Sequence, residues 1–219
     1  MSSDFSKMNE YYKDLYDRHG DSSKSLGWNK GNQFLRFDQL TKDWDLNNSS
    51  ILDVGCGFGD FVSFLLEKKT SNFHYLGLDL SEDFIRKANT NHQSKKITFI
   101  KGDFLNTAIN SEIDYAVASG TFNFKIEGLD GYEYIYNSMK KMFKLSNKAI
   151  SIDFLSDRVD YFHDHNFNSD PMKILEMAYS LSKRVVLNNS IFPFEFAITI
   201  FKDDTFKDDE MIFSKYQQL

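Results

Sequence analysis

Glycine recurs at alternate positions in the stretch ILDVGCGFGDF, where an aspartate precedes the run: the four residues are Asp53, Gly55, Gly57 and Gly59. Glycine allows a ligand to approach the backbone closely. A phosphate-binding P-loop is excluded, because no Lys-Ser or Lys-Thr follows Gly59 at the required spacing. The dinucleotide fingerprint is incomplete, because Asp60 occupies its third glycine position. A carboxylate at Asp53 would repel a pyrophosphate and attract an ammonium group, which favours a ligand with a cationic amino-acid portion.

Two more acidic residues follow the next strand-like segments. The segment YLGLDLS contains Asp79, and KGDF contains Asp103 followed by Phe104. A carboxylate at the tip of a second strand can accept hydrogen bonds from both ribose hydroxyls. Asp103 could accept the exocyclic amine of adenine, and Phe104 could pack on its face. A single aspartate after a strand is commonly a helix N-cap, but three acidic strand ends in order, beside a glycine run, indicate a nucleoside site.

Alternating strand-like and helix-like segments position these residues. Strands are predicted at 50–55, 73–80, 96–103, 113–120 and 148–155, and helices at 59–69, 81–89, 131–145 and 170–182. This alternation predicts an α/β fold with a parallel sheet. Two further strands, 183–189 and 194–203, are joined by a short turn around Pro193. A parallel crossover needs a dozen or more residues, so these two strands are predicted to be antiparallel neighbours.

The chain divides into an N-terminal helical cap or lid (1–48), a core (49–203) and an acidic C-terminal tail (204–219). The first part is predicted to form two helices around the loop GDSSKSLGWNK. It could be a packed cap on the sheet edge or a lid over the strand ends that bind ligand. Trp28 and Arg36 are expected in the pocket, where Arg36 and Gln33 could clasp a carboxylate. The alternative is a surface Arg36 paired with Asp38 or Asp43.

Composition limits the classes of function. The chain has 219 residues and a net charge of −6, which disfavours general nucleic-acid binding. Aromatic residues make up 16% of the chain, enough both to fill a core and to line a pocket for a flat or cationic ligand. The single cysteine, Cys56, fits a reducing compartment. Neither a signal sequence nor a membrane-spanning run is visible, so the expected location is cytoplasmic.

The segments ILDVGCGFG, YLGLDLS, KGDF and IDYAVASGTFNF together resemble the successive ligand motifs of class I S-adenosylmethionine-dependent methyltransferases, over roughly residues 50–203. The resemblance implies a Rossmann-like, seven-stranded, mostly parallel sheet with a C-terminal antiparallel hairpin and helices on both faces. It implies S-adenosyl-L-methionine as cofactor and S-adenosyl-L-homocysteine as product. The cofactor contacts that it implies are Gly55 and Gly57 at the methionine part, Asp79 at the ribose with Leu80 beside it, Asp103 and Phe104 at adenine, and Ser119 or Gly120 at the methionine amino group.

Methyl transfer from a sulfonium is an in-line displacement that needs alignment in a dry pocket but no catalytic dyad. The acceptor site is expected beyond the fourth and fifth strands. There GTFNF supplies Phe122 and Phe124 as pocket walls and Asn123 as a candidate catalytic residue. His19 is a second catalytic candidate, a general base if the lid closes, although a histidine at a helix end is more often solvated. The segment HGDSSKSLGW resembles, more loosely, bacterial methyltransferases of small molecules, including carboxylic acids and sugars.

No metal is expected. The histidines of HDHN lack a third ligand at a convincing spacing, and Asp153, Asp157 and Asp160 more often serve as loop or cap carboxylates. The chain contains only two prolines, so the Pro-Pro motif of many nucleic-acid and protein-amide methyltransferases cannot exist. The sequence therefore predicts methyl transfer to a small soluble acceptor, with oxygen slightly favoured. A non-catalytic cofactor-binding module and an RNA or protein methyltransferase remain alternatives, and an NAD-dependent reductase is disfavoured. The oligomeric state stays open.

Overall fold

A computed structural model describes residues 5–20, 22–26, 30–68, 70, 72–209 and 211–217. Its centre is a seven-stranded sheet with the strand order β3-β2-β1-β4-β5-β7-β6. The strands are β1 (Ser50–Val54), β2 (His74–Asp79), β3 (Ile97–Lys101), β4 (Ile113–Ala118), β5 (Ser146–Leu155), β6 (Val185–Asn188) and β7 (Glu195–Phe201). The predicted Rossmann-like α/β fold is confirmed.

Strand direction follows the lengths of the connections. Strands β1 to β5 are parallel, whereas β7 runs antiparallel to both β5 and β6. The link from Asn188 to Glu195 is too short for a parallel crossover, so the predicted C-terminal hairpin is confirmed. The chain moves outward from β1 through β2 to β3, then returns to place β4 on the other side of β1. Ligands of open α/β sheets bind at such a reversal, outside the carboxyl ends of the strands.

Six α-helices accompany the sheet in the described part of the chain. They are α1 (Ser6–His19), α2 (Lys30–Thr41), α3 (Asp60–Glu67), α4 (Glu82–Asn91), α5 (Gly131–Leu145) and α6 (Pro171–Tyr179). Side-chain caps define several starts. The Ser81 hydroxyl accepts the Phe84 N–H at α4, and the Asp130 carboxylate accepts the Tyr132 and Glu133 N–H groups at α5. These caps satisfy N–H groups that a helix start otherwise leaves unpaired.

Apolar residues of the central strand point alternately to two cores. Leu52 and Val54 pack with residues of α5 and α6 on one face of the sheet. Ile51 packs with residues of α2, α3 and α4 on the other face. Helices therefore cover both faces, as predicted, and both faces of β1 are buried. Each fully buried aliphatic or aromatic side chain stabilises the fold by roughly 1.5–3 kcal/mol. Several such side chains hold β1 in place, so the glycine run that follows it starts from a fixed position.

The first helix differs from the others in having no fully buried residue. Rings hold it to the core: Tyr12 lies 6.1 Å from Phe84, and Tyr16 lies 5.9 Å from Phe58 between ring centroids. An exposed ion pair from Lys7 to Glu127 adds little. In contrast, α2 buries Phe37 and Leu40. None of the helices among the described residues is long and apolar enough to cross a membrane.

Candidate active site

The glycine run forms a tight turn between β1 and α3. Gly55 and Gly57 have φ values of 76° and 54°, a region that glycine adopts without steric cost. A Cβ atom on Gly55 would collide with the Thr121 side chain. The Gly55 N–H donates to the Leu78 carbonyl at 2.7 Å, which ties the turn to the end of β2. The backbone at this turn is therefore not covered by side chains, and a side chain at Gly55 would displace Thr121 or change the turn.

Asp79 connects the end of β2 to the glycine turn. One carboxylate oxygen accepts the Gly57 N–H at 2.9 Å, and the other accepts the Ser81 N–H at 2.8 Å. Burial raises the pKa of Asp79, and the N–H groups of Ser81 and Gly57 oppose that rise. Each carboxylate oxygen has two acceptor sites. Asp79 can therefore accept ribose hydroxyls while it holds the turn in place.

Asp53 lies buried under the same turn. Its carboxylate accepts a 2.5 Å hydrogen bond from the Tyr75 hydroxyl. Burial raises the pKa of Asp53 to about 7; the Tyr75 hydrogen bond opposes the rise, and the charge of Asp79 adds to it. Near neutral pH this carboxyl is therefore divided between its neutral and ionised forms. A neighbouring cation would favour the ionised form.

Asp153 is a buried carboxylate in the middle of the sheet. It accepts hydrogen bonds of 2.6 Å from both the Ser119 hydroxyl and the Gly120 N–H. Burial raises the pKa of Asp153 to about 6; the charge of Glu195 adds to the rise, and the two hydrogen bonds oppose it. The sequence analysis considered Asp153 as a metal ligand and favoured a loop or cap carboxylate. Its actual contacts fix the turn after β4, and the signal was an acidic residue inside the apolar strand KAISIDFL. No cluster of three potential ligands for a metal occurs among the described residues.

Most of the predicted cofactor contacts border one cleft at the carboxyl ends of β1, β2 and β4. They are Asp53, Gly55, Gly57, Asp79, Leu80, Phe104, Ser119 and Gly120. Asp103 lies outside this lining, where its carboxylate accepts the Leu105 N–H at 3.1 Å and a hydrogen bond from the Asn106 side chain. It holds the local turn that presents Phe104, and its contact with adenine stays a prediction.

The first helix and the following 3₁₀ turn cover the cleft. Phe5, Met8, Asn9 and Tyr12 of this segment line it, together with Leu26. The Leu26 side chain lies 3.2 Å from the point where a Cβ on Gly57 would stand. Burial raises the pKa of Tyr12, so its hydroxyl stays protonated. The cleft under this cover has a volume of about 120 Å³, below the roughly 300–1,000 Å³ of ligand pockets.

Arg36 is placed differently from expectation. Its guanidinium forms a two-pronged ion pair with Glu195 of β7, and the two side chains are 3% and 4% exposed. The alternative of a surface arginine paired with Asp38 or Asp43 is wrong, and Asp38 instead pairs with Lys68 at 2.6 Å. Arg36 is absent from the lining of the cleft among the described residues, so its contact with the cofactor stays a prediction.

Gln33, one helical turn before Arg36, does border the cleft. The residue is buried, and its amide oxygen has no hydrogen-bond partner among the described residues. A buried polar group without a partner is costly. A ligand group in the cleft would satisfy it. Trp28, the other pocket residue expected from this segment, lies outside the described residues.

A second cavity, here called the acceptor chamber, adjoins the cleft and has a volume of about 650 Å³. Tyr12 and Leu26 line both spaces. The chamber also contains the predicted residues Asn123 and Phe124, with walls from the loop between β5 and α6 and from the turn before β7. The Asn123 side-chain oxygen accepts the Leu155 N–H at 2.9 Å and so fixes one wall to β5.

Two predicted acceptor-site residues lie elsewhere. Phe122 is buried in the core, with its ring centroid 6.2 Å from that of Phe154 and 5.7 Å from that of Tyr134. It belongs to the core cluster and is not one of the lining residues of the chamber. His19 is exposed at the end of α1 and lines neither cavity. The expected acceptor site beyond the fourth and fifth strands included the segment DFLSDRVDYFHDHN, and His163 and His165 of this segment line the chamber. The sequence analysis considered these two histidines individually only as metal ligands.

The fold, the bare glycine turn and the buried carboxylates define a methyltransferase of class I. A family model described as a methyltransferase domain matches residues 45–183, and the chain belongs to this family. It is an S-adenosylmethionine-dependent methyltransferase, as the sequence predicted, and S-adenosylmethionine is its cofactor.

Three comparisons illustrate the relationship. "Putative methyltransferase Rv1506c" of Mycobacterium tuberculosis is 28% identical over 159 residues, which cover 70% of this chain and 93% of that protein. Malonyl-[acyl-carrier protein] O-methyltransferase of Priestia megaterium is 26% identical over 64% of this chain, and the match spans only 46% of that protein. The crystal structure of magnesium protoporphyrin IX methyltransferase from Synechocystis, with bound SAH, superposes with a TM-score of 0.67 at 13% identity, covering 90% of this chain and 99% of that one.

Proposed function

We propose that this methyltransferase acts on a small-molecule acceptor in the acceptor chamber, and that oxygen is the preferred acceptor atom. The observation that carries the proposal is the contact between the two cavities. Tyr12 and Leu26 line both the cofactor cleft and the chamber. Methyl transfer requires the donor carbon and the acceptor atom to come within about 3–3.5 Å, which two adjoining spaces allow.

The cleft suits a cationic cofactor. S-adenosylmethionine supplies an activated methyl group on a positively charged sulfur, and its amino-acid part carries an ammonium group. Three carboxylates lie around the glycine turn, of which Asp53 and Asp153 are buried and Asp79 is half-buried. Repulsion between them and loss of hydration both oppose ionisation, and a bound cation offsets both effects. Gln33 is available to the methionine part of the cofactor: its unpaired amide oxygen can accept from the ammonium group, and its amide N–H groups can donate to the carboxylate.

The remaining residues of the site orient the reactants and exclude water. Leu26 and Tyr12 close the space above Gly57 with apolar surface. Asn123 and Asp153 fix the ends of β4 and β5, from which the chamber walls continue. Exclusion of water strengthens electrostatic interactions at a reacting centre and prevents hydrolysis.

Size and charge support a small acceptor. The chamber volume of about 650 Å³ is that of a pocket for a molecule of a few rings. The net charge of −6 disfavours a polyanionic acceptor such as RNA. Oxygen as acceptor atom is supported by the relative named as an O-methyltransferase.

The test is an unbiased search for the methylated product. The protein is incubated with isotope-labelled S-adenosylmethionine and fractionated small metabolites, RNA or protein, and products are found by mass spectrometry. We expect the labelled methyl group in the small-metabolite fraction. Fragmentation of the product should show that this methyl group is attached to oxygen, as an ether or an ester. Label in RNA or protein alone would contradict the proposal. Asp79→Ala, which should weaken cofactor binding, serves as the matched inactive control.

A further inference from the structure

A continuous row of aromatic rings forms one side of the acceptor chamber. Tyr161 lies 5.4 Å from His163, His163 lies 5.7 Å from His165 with the rings nearly parallel, and His165 lies 4.9 Å from Tyr11. Tyr11 in turn lies 5.4 Å from Phe124. All five residues line the chamber. A flat aromatic ligand can stack on such a wall, since aromatic pairs with centroids 4.5–7 Å apart attract one another.

The mouth of the chamber exposes apolar surface. Tyr161 is 71% exposed, Phe162 next to it is 61% exposed, and Phe194 on the opposite loop is 40% exposed. Tyr161 and Phe194 line the chamber, and Phe162 stands beside them. Contiguous exposed aromatic side chains at a cavity mouth are typical of a surface that a ligand covers. An apolar, ring-containing ligand would bury them.

The fixed charges of the chamber do not favour an anion. Arg158 is its one lining residue with a permanent positive charge among those described, and it lies 3.3 Å from Asp157 and 3.7 Å from Asp170. Asp160 also lines the chamber. A carboxylate ligand would therefore find Arg158 already paired with two carboxylates, and it would lie near the negative charge of Asp160. An acceptor without net charge fits this environment better.

Two histidines in the ring row could accept the proton that an uncharged hydroxyl group must lose. A neutral phenol is a weak nucleophile, and its oxygen must lose a proton as the new bond forms. Histidine is the side chain best suited to accept a proton near neutral pH. His165 stacks against Tyr11, and the neighbouring Tyr12 borders the cofactor cleft. Through its contact with Tyr11, His165 is therefore the histidine of the ring row that lies next to the junction of the two cavities.

We propose that the acceptor is a flat aromatic compound with an ionisable hydroxyl group and that His165 accepts its proton, with His163 stacked behind. This inference rests on the proposed function. In the transfer step the acceptor oxygen forms a bond to the methyl carbon as the sulfur–carbon bond breaks. The sulfur keeps that electron pair and becomes the thioether of S-adenosylhomocysteine. The hydroxyl proton moves to the imidazole, and the positive charge of the sulfonium thus ends on His165.

The test uses the full chain with defined acceptors, and the formation of S-adenosylhomocysteine is measured. The probes are 2-naphthol as a weakly acidic aromatic hydroxyl, 4-nitrophenol as an aromatic hydroxyl already largely ionised at pH 8, and hexanoate as an aliphatic carboxylate. His165→Gln and His163→Gln are compared with His74→Gln. His74 is an exposed histidine at the start of β2, on the opposite edge of the sheet.

We expect turnover of the two aromatic hydroxyls, with a higher KM for 4-nitrophenol because it binds as an anion, and no turnover of hexanoate. His165→Gln should lower kcat/KM at least about tenfold for 2-naphthol and much less for 4-nitrophenol, which needs no base. His74→Gln should behave like wild type. Equal losses for both phenols would reduce His165 to a wall residue, and turnover of hexanoate alone would overturn the aromatic acceptor.

A separate measurement distinguishes failure of this inference from failure of the proposed function. S-adenosylmethionine binding is measured by calorimetry for every variant, and folding is checked by thermal unfolding. Tight cofactor binding with no product from these probes, but with label in other small metabolites, would overturn only the aromatic acceptor. Cofactor binding without any small-molecule product would overturn both proposals.

Discussion

Arg36 of α2 and Glu195 of β7 form a buried two-pronged ion pair, with Nε–Oε2 and Nη2–Oε1 distances of 2.6 and 2.5 Å. The Arg36 guanidinium also lies 4.9 Å from the centre of the Phe192 ring. The pair joins the N-terminal segment to the C-terminal hairpin across 159 residues of sequence. It anchors α2, the helix that follows the cover of the active site, to the sheet.

Removing one partner of this pair should destabilise the protein strongly. Arg36→Met or Glu195→Gln leaves an uncompensated buried partner, with an expected cost of about 3–5 kcal/mol. The double variant Arg36→Met/Glu195→Met should lose less than either single variant. Urea unfolding measures these free energies. Lys68→Met, which breaks the exposed pair with Asp38, is the control and should cost no more than about 1 kcal/mol.

The same double variant separates the structural role of Arg36 from its predicted role in the pocket. If Arg36 contacts the cofactor directly, the folded double variant should lose S-adenosylmethionine affinity by about tenfold or more. Unchanged affinity by calorimetry would assign Arg36 to the anchor alone.

Gln33→Leu should weaken cofactor binding without destabilising the protein. The variant removes a buried amide oxygen that has no partner among the described residues, so the free energy of unfolding should stay the same or rise. Loss of hydrogen bonds to the charged methionine carboxylate should cost about 1.5–3 kcal/mol of binding. Calorimetry and urea unfolding give the two quantities. Wild-type affinity in a stable variant would exclude Gln33 from the cofactor site.

Cofactor binding should depend on pH through Asp53. Burial raises the pKa of Asp53 to about 7, above its ordinary value of 3.8. The cationic cofactor favours the ionised carboxylate, so affinity should increase as pH rises from about 6 to 8, and binding should release protons in that range. In the free protein the sign is opposite: stability falls as pH rises from 3.8 towards 7, because the folded state holds this proton more tightly.

The measurement is calorimetry in buffers of different ionisation enthalpy, which counts released protons. Asp53→Asn should remove most of the pH dependence and weaken binding at pH 8. If the wild-type affinity were constant across this range, Asp53 would not be a partner of the cofactor's positive charge.

Asp79→Ala should weaken S-adenosylmethionine binding by roughly 1.5–3 kcal/mol, the value of hydrogen bonds to a charged group. The variant also loses two hydrogen bonds from Gly57 and Ser81, so stability should fall as well. Asp114→Ala is the matched control: that carboxylate accepts the Ser50 N–H at 2.9 Å at the opposite edge of the sheet. It should lower stability without changing affinity. Equal affinity in Asp79→Ala and wild type would remove the ribose role.

Cofactor binding should order the N-terminal cover. The cleft beneath α1 is too small for the cofactor as it stands, and α1 has no fully buried residue. We therefore expect α1 to move aside and then close, on the microsecond-to-millisecond timescale of active-site lids. Hydrogen exchange in residues 5–26 should slow with S-adenosylmethionine. Protection confined to Gly55 and Asp79, with no change in residues 5–26, would make this segment a structural cap.

Local rules allowed most of the fold to be predicted. The helix at 131–145 was predicted with the observed bounds. Its start depends on a local feature, since the side chain of the preceding residue, Asp130, caps it. The glycine turn could be found because its spacing and positive φ values are local requirements. The C-terminal antiparallel hairpin followed from the length of its connection, and the seven-stranded, mostly parallel sheet followed from the alternation of elements and the resemblance of the motifs.

Contacts between distant segments could not be predicted. Nothing in the helix containing Arg36 indicates a partner 159 residues away. Phe122 and Phe124 look equivalent in GTFNF, yet Phe122 is buried in the core and Phe124 lines the chamber. The difference arises because Phe122 lies in the turn after β4, whereas Phe124 forms a β-bridge with the distant Asn166. The chamber itself is built from five segments that come together only in the folded chain, namely residues 11–12, 26, 123–124, 155–168 and 193–194.

Because Tyr12 and Leu26 line both cavities, movement of α1 during cofactor exchange would also open one wall of the acceptor chamber. We therefore expect the two reactants to bind in a fixed order, with the donor first and its demethylated form released last. The free concentration of S-adenosylhomocysteine should then limit the rate, because this product occupies the cleft that the donor must enter first.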